Sequence, residues 1–270
     1  MRGGGNLVSA ISITTLFSLF CWWSNNGIVI SKHIYKNDKI PKDFDGFKIV
    51  HISDLHNKMF GKEQSVLLKK ISDLNPDIIV ITGDLIDRRR FSLDSAMYFI
   101  NGVVNIAPTY YVSGNHEVHS GRYNEIVTTL EKADVFVMDN VKVKIFKTDF
   151  SIKDNFINII GLIDPSFKGY NNSKIQLKRL ARNNSFKILI SHRPEIFDMY
   201  CENNIDLIFA GHTHGGQFRL PFIGAPHHKY TKSKYSNANS TMFVSRGLGN
   251  SIIPIRIFNR PEIVMVTVKL

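Results

Sequence analysis

The stretch IDLIFAGHTHGG, residues 205–216, decides the fold prediction. Five of its first six residues are apolar, which predicts a buried strand, and Gly211 then ends the apolar run. His212 and His214 follow two positions apart, and two imidazoles are costly to bury without a polar partner. The stretch therefore predicts a sheet strand that ends at a site with a chemical role.

Four other apolar segments of the chain end in the same way. Each is followed by side chains able to bind a metal or transfer a proton: Asp54 and His56 after 47–53, Asp84 and Asp87 after 77–82, Asn115 and His116 after 109–113, and His192 after 187–191. Any one of these could be an ordinary turn or helix cap. Because the carboxyl ends of strands in an α/β sheet converge on one crevice, five such ends predict a cluster.

The order of strand-like and helix-like segments predicts the fold class. Helical patterns at 63–74 and 93–104 alternate with the first strands, which indicates βα units and a largely parallel sheet. The helix at 63–74 is expected to bury one apolar stripe: Val66, Leu67, Ile71 and Leu74. The second half has short strands with little helix between them, at 135–138, 141–146 and 156–161. An α/β fold of two packed mixed sheets flanked by helices accommodates this pattern, with the strand order left open.

The N-terminal segment predicts a membrane anchor. Residues 7–23 carry no charge and end in two tryptophans, which is typical of a transmembrane helix that reaches the membrane surface. A cleaved signal peptide is the alternative, but only Arg2 precedes the segment and no A-x-A-like site follows it. The expected organisation is a tail at 1–6, the anchor at 7–23, a linker at 24–45 and one domain at 46–270.

Charge and cysteine content narrow the possible partners. The 270 residues include 34 Lys and Arg against 23 Asp and Glu, a net charge of +11 that favours anionic partners such as phosphorylated substrates or acidic lipids. A solvated basic face explains the excess equally well. No basic helix or aromatic-basic groove is apparent, so nucleic acid is not an expected partner. Two cysteines, one of them within the apolar N-terminal segment, argue against a disulfide framework.

The candidate ligands are nitrogen and oxygen donors: Asp54, His56, Asp84, Asn115, His192, His212 and His214. Seven donors are too many for one tetrahedral zinc and suit two cations that share a bridging carboxylate. Two such ions activate water to hydroxide and stabilise the charge that develops during in-line attack on phosphorus. The expected reaction is therefore hydrolysis of a phosphoester, phosphodiester or pyrophosphate bond.

The motifs D-x-H, G-D-x-x-D, G-N-H-E, a single His after a strand and G-H-x-H occur here in this order. Over about 45–270 the sequence resembles the calcineurin-like metallophosphoesterase superfamily, and in particular its bacterial membrane-tethered phosphodiesterase branch. The resemblance implies a four-layer αββα sandwich and two divalent ions, Mn, Fe or Zn. It implies that one ion is bound by Asp54, His56 and His214 and that the second is bound by Asn115, His192 and His212. Asp84 would bridge the two ions.

The same resemblance implies roles for three further residues. His116 matches the histidine that contacts the scissile phosphate, Asp87 matches the acid that orients it, and Arg88 is a weaker candidate for phosphate binding. It also implies a phosphorylated small molecule or lipid-linked substrate, as in UDP-2,3-diacylglucosamine hydrolysis, and a cell-membrane protein with an extracytoplasmic domain. The lysines after residue 23 favour the opposite orientation. A nuclease of the superfamily and a non-catalytic surface protein stabilised by metals are the alternatives.

Overall fold

Two mixed sheets of six strands each form the centre of the molecule. The structure, a computed structural model, describes residues 3–147, 155–216, 229–231, 233–250 and 255–270. Within these ranges the strands are β1 (Val29–Lys36), β2 (Lys48–Ile52), β3 (Ile78–Ile81), β4 (Thr109–Tyr111), β5 (Phe136–Val137), β6 (Lys142–Ile145), β7 (Ile157–Leu162), β8 (Lys187–Ser191), β9 (Leu207–Ala210), β10 (Ser233–Asn237), β11 (Ser240–Val244) and β12 (Glu262–Lys269).

Helices cover the outer faces of both sheets. In the described residues they are α1 (Gly3–Asn26), α2 (Ser65–Ser72), α3 (Asp94–Val103), α4 (Asn115–His119), α5 (Tyr123–Lys132), α6 (Gly169–Leu180) and α7 (Phe197–Glu202). Apolar side chains of α2, α3 and α5 share one buried cluster with the first sheet, and those of α6 and α7 share another with the second sheet. The predicted α/β class, with two packed mixed sheets flanked by helices, is confirmed.

The strands alternate between two hydrophobic layers because successive side chains point to opposite faces of a sheet. Ile49 and Ile78 lie in the cluster between the sheets, together with Ile188 and Phe209 of the second sheet. Their neighbours in sequence lie in the outer cluster, against the helices of the first sheet: Val50 and Ile79. Strands buried on both faces therefore read as continuous apolar runs.

The strand order brings the loops after several strands to one edge of the molecule. The first sheet has the order β1-β12-β2-β3-β4-β5, and the second has the order β10-β11-β9-β8-β7-β6. Strands β2 to β5 are mutually parallel, as are β7, β8, β9 and β11. Each parallel set carries the loops after its carboxyl ends on the same side, which is where the predicted site residues lie.

Two details differ from the sequence prediction. The segment interpreted as a linker contains β1, which pairs in parallel with β12 from Val29 opposite Glu262 to Lys36 opposite Lys269. Strand β1 lies at the edge of its sheet, and its lysines and other polar residues interrupt the alternation of apolar and polar residues that marks a strand in a sequence. Val66, predicted to be buried, is 47% exposed, because α2 is entered through a 3₁₀ turn at 62–64 that rotates its first residues toward solvent.

Helix α1 contains the segment predicted as an anchor. Near its C-terminal end it contacts the last part of the chain, where the Arg260 guanidinium lies 4.3 Å from the Trp23 ring and the Phe20 and Phe258 rings are 5.2 Å apart. The predicted transmembrane helix, and with it the cell-membrane location of an extracytoplasmic domain, is wrong: no helix among the described residues combines the length and the apolar character needed to cross a membrane.

Candidate metal centre

The structure brings all seven predicted ligands to one cluster between the two sheets. Four follow strands of the first sheet and three follow strands of the second: Asp54, His56, Asp84 and Asn115, and His192, His212 and His214. Among the described residues, three groups have ligand atoms within 4.8 Å of one another: Asp54, His56 and His214; His56, Asp84 and His116; and Asp84, His192 and His212.

The first group has the geometry of a cation site. The Nε2 atoms of His56 and His214 are 3.1 Å apart, and Oδ1 of Asp54 lies 3.8 Å and 3.4 Å from them, respectively. All three residues are buried, and Oδ1 of Asp54 accepts no hydrogen bond from any described residue. A buried carboxylate oxygen without a donor is rare unless it binds an ion.

Asp84 lies between the first group and the second. Its Oδ2 is 3.6 Å from Nε2 of His56 and 3.2 Å from Nε2 of His192. The same His192 nitrogen is 3.2 Å from Oδ1 of Asn115 and 3.2 Å from Nδ1 of His212. Asp84 is therefore the carboxylate that faces ligands from both groups.

The electrostatics of the cluster favour the binding of positive charge. Burial acts to lower the pKa of His192, but the neighbouring Asp84 carboxylate outweighs this effect and raises it to about 10. Burial lowers the pKa of His212 and of His214 to about 3, so both rings are neutral. Imidazole, carboxylate and amide donors of this kind fit two divalent ions such as Mn²⁺, Fe²⁺ or Zn²⁺.

His116 lies against the cluster on α4, with its ring 4.4 Å from that of His56. Its Nδ1 accepts a hydrogen bond from the backbone N–H of Arg88 (3.2 Å), so the proton of the neutral ring is on Nε2. Burial lowers the pKa of His116 to about 4, which keeps the ring neutral. The structure thus gives His116 the form that can donate a hydrogen bond from Nε2.

Asp87 and Arg88 lie beside His116 but contact it differently from what was predicted. Oδ1 of Asp87 is 3.6 Å from Nδ1 of His116, outside hydrogen-bond distance, while the carboxylate accepts hydrogen bonds from the backbone N–H, Nε and Nη2 of Arg89. Arg88 contributes its backbone N–H to His116, and its side chain is exposed. The backbone of Arg88, rather than the Asp87 carboxylate, orients the imidazole.

Glu117 is a site residue to which the sequence assigned no role. Its buried carboxylate accepts hydrogen bonds from the backbone N–H groups of Asp84 (2.8 Å), Leu85 (2.7 Å) and Gly114 (2.8 Å). Burial and the nearby Asp84 raise the pKa of Glu117 to about 7. Glu117 thereby joins the loop of Asp84 to the loop of Asn115, and its place in the G-N-H-E motif was the available signal.

Arg193 is a second residue that sequence reasoning missed. Its guanidinium is bound by the Asp164 carboxylate, at 2.6 Å and 3.2 Å, and its Nη1 donates to Nε2 of His212 at 2.6 Å. His212 therefore turns Nδ1 toward His192. The position of Arg193 directly after His192 was the only sequence signal, since Asp164 is 29 residues away.

The backbone of the ligand loops adopts conformations that most residues avoid. Five of the seven predicted ligands have positive φ angles, between 46° and 70°: Asp54, His56, Asp84, His212 and His214. Non-glycine residues rarely occupy this region, and each such residue costs roughly 1–3 kcal/mol. Backbone strain of this kind, concentrated in one cluster, is typical of a functional site.

Comparison with known proteins agrees with this geometry. Residues 47–216 match the family model described as calcineurin-like phosphoesterase. The uncharacterized metallophosphoesterase YkuE of Bacillus subtilis is 32% identical over 255 residues, which cover 90% of this chain and 86% of YkuE. The uncharacterized metallophosphoesterase Cj0846 of Campylobacter jejuni is 28% identical, covering 97% of this chain and 70% of its own length.

Two solved structures share the fold at low identity. The protein TT1561 of Thermus thermophilus has a TM-score of 0.51 at 14% identity, over 75% of this chain and 90% of its own. A dimetal phosphatase from Danio rerio has a TM-score of 0.50 at 11% identity, over 76% of this chain and 88% of its own. Together with the family match over more than half of the sequence, these findings show that the chain belongs to the calcineurin-like phosphoesterase family.

Proposed function

We propose that this chain hydrolyses a phosphoester bond at the cluster between the two sheets, using the seven candidate side chains as ligands for two divalent ions. Its family membership makes it a metal-dependent phosphoester hydrolase. The observation that carries the proposal is Asp84, whose Oδ2 faces His56 on one side and His192 on the other. One carboxylate placed between two ligand groups suits a bridge between two ions.

The assignment of ligands follows the distances. Asp54, His56 and His214 would hold one ion, and His192, His212 and Asn115 the other, with Asp84 shared. Bound there, two divalent ions supply Lewis acidity and lower the pKa of an attacking water. The protein supplies the buried donor set, the strained loops that aim it, and the Glu117 hydrogen bonds that hold the loops together.

His116 would donate a hydrogen bond to the leaving oxygen of the substrate and stabilise the charge that develops there. Its Nε2 carries the ring proton and faces the group formed with His56 and Asp84. Because burial lowers the pKa of His116 to about 4, the ring is neutral near pH 7 and its Nε2–H acts as a hydrogen-bond donor to the developing negative charge. Asp87 and Arg88 support this role from the adjacent turn.

The substrate is proposed to be a phosphorylated small molecule. The net charge of +11 favours an anionic substrate, and Arg88, Arg89 and Arg90 form an exposed basic turn directly after Asp87. A phosphodiester, a phosphomonoester and a pyrophosphate such as UDP-2,3-diacylglucosamine are each compatible with this chemistry. Steady-state rates with one compound of each kind, measured on the metal-loaded protein, rank these three classes.

The test of the proposal is hydrolysis of bis(p-nitrophenyl) phosphate by the Mn²⁺-loaded protein. Asp84→Asn is expected to reduce kcat by at least about 100-fold and to lower the number of ions bound, measured by elemental analysis, because it removes the shared negative charge. Asp73→Asn is the matched control, since Asp73 is exposed and its carboxylate pairs with Lys69 on α2. Equal rates for the wild-type protein and Asp84→Asn would reject the assignment.

A further inference from the structure

We infer that a pocket beside the metal centre binds a planar aromatic group of the substrate. The pocket has a volume of about 440 Å³ and is lined by Gly121, Arg122, Tyr123, Asn124, Glu125 and Phe167. The inference rests on the proposed function for recognition of the phosphate, and it adds a site for the organic part of the same molecule.

The two walls of the pocket lie close in sequence to residues of the metal cluster. One wall begins at Gly121, two residues after the end of α4, the helix that carries Asn115 and His116. The other wall is Phe167, three residues after Asp164, and Asp164 binds the Arg193 guanidinium that contacts His212. Arg122 of the pocket also contacts Phe91, three residues after Arg88, whose backbone N–H binds His116. A phosphate held at the centre would extend its organic group toward this pocket.

The aromatic side chains of the pocket are held in place. The hydroxyl of Tyr123 donates to Oδ2 of Asp139 at 2.7 Å, and Oδ1 of Asp139 accepts from the backbone N–H of Ser113 at 2.9 Å. The Phe167 ring lies 5.3 Å from the Tyr123 ring, and Phe167 is 43% exposed. A fixed aromatic pair with one open face offers a stacking surface for another ring, and it buries that ring at little entropic cost.

Cationic groups at the rim of the pocket determine which kind of chemical group binds there. The Arg122 guanidinium lies 4.0 Å from the Phe91 ring and binds Glu125 at 2.5 Å and 2.7 Å, which fixes its position. Lys168 Nζ lies 5.5 Å from the centre of the Phe167 ring. Positive charge beside aromatic faces favours an electron-rich ring attached to a phosphate, such as an aryl group or a nucleobase, over an aliphatic chain.

Phenylphosphonate and methylphosphonate test this site without turnover, because their P–C bonds are not hydrolysed. Calorimetric titration of the Mn²⁺-loaded wild-type protein should show about tenfold tighter binding of phenylphosphonate, as expected for one stacked ring. Phe167→Ala should reduce this preference to about twofold or less while leaving the affinity for methylphosphonate unchanged. Adenosine 5′-phosphonate distinguishes a nucleobase from a simple aryl group as the preferred ring. This compound binds more tightly than phenylphosphonate if the pocket prefers a nucleobase, and no more tightly if the pocket prefers a simple aryl group.

Phe136→Ala is the matched control, since Phe136 is 52% exposed on β5 and lies outside the pocket. It should keep the full preference for phenylphosphonate. Equal affinity for the two small phosphonates, no binding of either, or a preference that survives in Phe167→Ala overturns the inference. If the proposed function alone is wrong, hydrolysis is absent while the ring preference and its loss in Phe167→Ala persist.

Discussion

His116 shows how one hydrogen bond defines the chemistry of a side chain. A backbone N–H can only donate, so the contact from Arg88 leaves Nδ1 of His116 without a proton and places the proton on Nε2. The sequence resemblance had assigned this orienting role to the Asp87 carboxylate, which instead binds Arg89. The two explanations differ in what they predict for Asp87.

We expect His116→Ala to reduce kcat by about 100-fold or more on an alkyl phosphodiester, as is typical for loss of a hydrogen-bond donor that stabilises developing negative charge. The reduction should be smaller on bis(p-nitrophenyl) phosphate, because p-nitrophenolate leaves without protonation. Asp87→Asn should reduce kcat by less than about tenfold on both substrates, since the Arg88 backbone still holds the ring. Elemental analysis provides the control, with metal content unchanged in both variants. A loss in Asp87→Asn as large as that in His116→Ala would contradict this account.

At the scale of the elements, the site depends on how closely the strand ends approach one another. Gly211 follows β9 of the second sheet, and a Cβ atom at this position would lie 1.9 Å from Oγ of Ser53 and 2.6 Å from Oδ2 of Asp54, beyond β2 of the first sheet. The backbone N–H of His212 donates to the same Asp54 oxygen at 3.2 Å. Glycine is therefore required at 211 by the contact between the sheets.

Gly211→Ala should destabilise the protein by about 3 kcal/mol or more, since the methyl group forces Ser53 and Asp54 apart. Gly169→Ala is the control: its φ is +79° but no atom lies within 4 Å of the added carbon, so only the backbone cost of about 1–2 kcal/mol applies. Urea denaturation of both variants measures the difference. Equal destabilisation would mean that the close approach at 211 is readily relieved.

The burial of His51 on β2 can be tested by the pH dependence of the protein's stability. It is fully buried, its Nε2 lies 2.8 Å from Oγ1 of Thr82, and burial lowers its pKa from 6.5 to about 3. Because the unfolded chain binds the proton more readily, this contribution to stability is complete above pH 6.5 and declines as pH falls toward 3.

Between pH 7 and pH 5, the free energy of unfolding of the wild-type protein relative to His51→Gln should fall by about 2 kcal/mol. Glutamine at position 51 can still form a hydrogen bond with Thr82 and does not titrate. Urea denaturation at both pH values, in the presence of a chelator, measures the two proteins under matched conditions. Parallel pH dependences would show that His51 does not set this part of the stability.

At the scale of the whole molecule, the metal centre joins the two sheets. Asp54, His56, Asp84 and Asn115 extend from the first sheet, and His192, His212 and His214 from the second. Buried carboxylates and neutral imidazoles face one another across the gap. Bound cations would therefore stabilise the packing of the sheets as well as the reaction.

Chelation of bound metal should lower the thermal stability of the protein. For ions that bind only the folded state, free metal at 100 times its Kd contributes about 2.7 kcal/mol per site. Thermal melting with Mn²⁺ and with a chelator measures this contribution, and His192→Ala should show a smaller difference because it removes a ligand contributed by the second sheet. Identical melting temperatures with and without metal in the wild-type protein would contradict a centre that links the sheets.

Much of this architecture could be predicted, because its elements are local patterns. Apolar runs mark the buried strands, and the polar residues after them mark the shared edge, where ligand atoms of Asp84, His192 and His212 lie within 4.8 Å of one another. The edge strand β1 was missed because its lysines interrupt the apolar pattern. The anchor at 7–23 was inferred from an uncharged segment, but no helix among the described residues is both long and apolar enough to cross a membrane.

By itself, the amino-acid sequence determined the strand and helix pattern, the sheet architecture and the identity of the candidate ligands, since these follow from hydrophobic periodicity and from residue types at strand ends. Only the tertiary structure decided which groups orient these candidate ligands and His116. Glu117 holds two loops, Arg193 contacts His212, and the Arg88 backbone fixes the His116 tautomer. These contacts join residues distant in sequence, or use backbone atoms that every residue carries, so no local pattern encodes them.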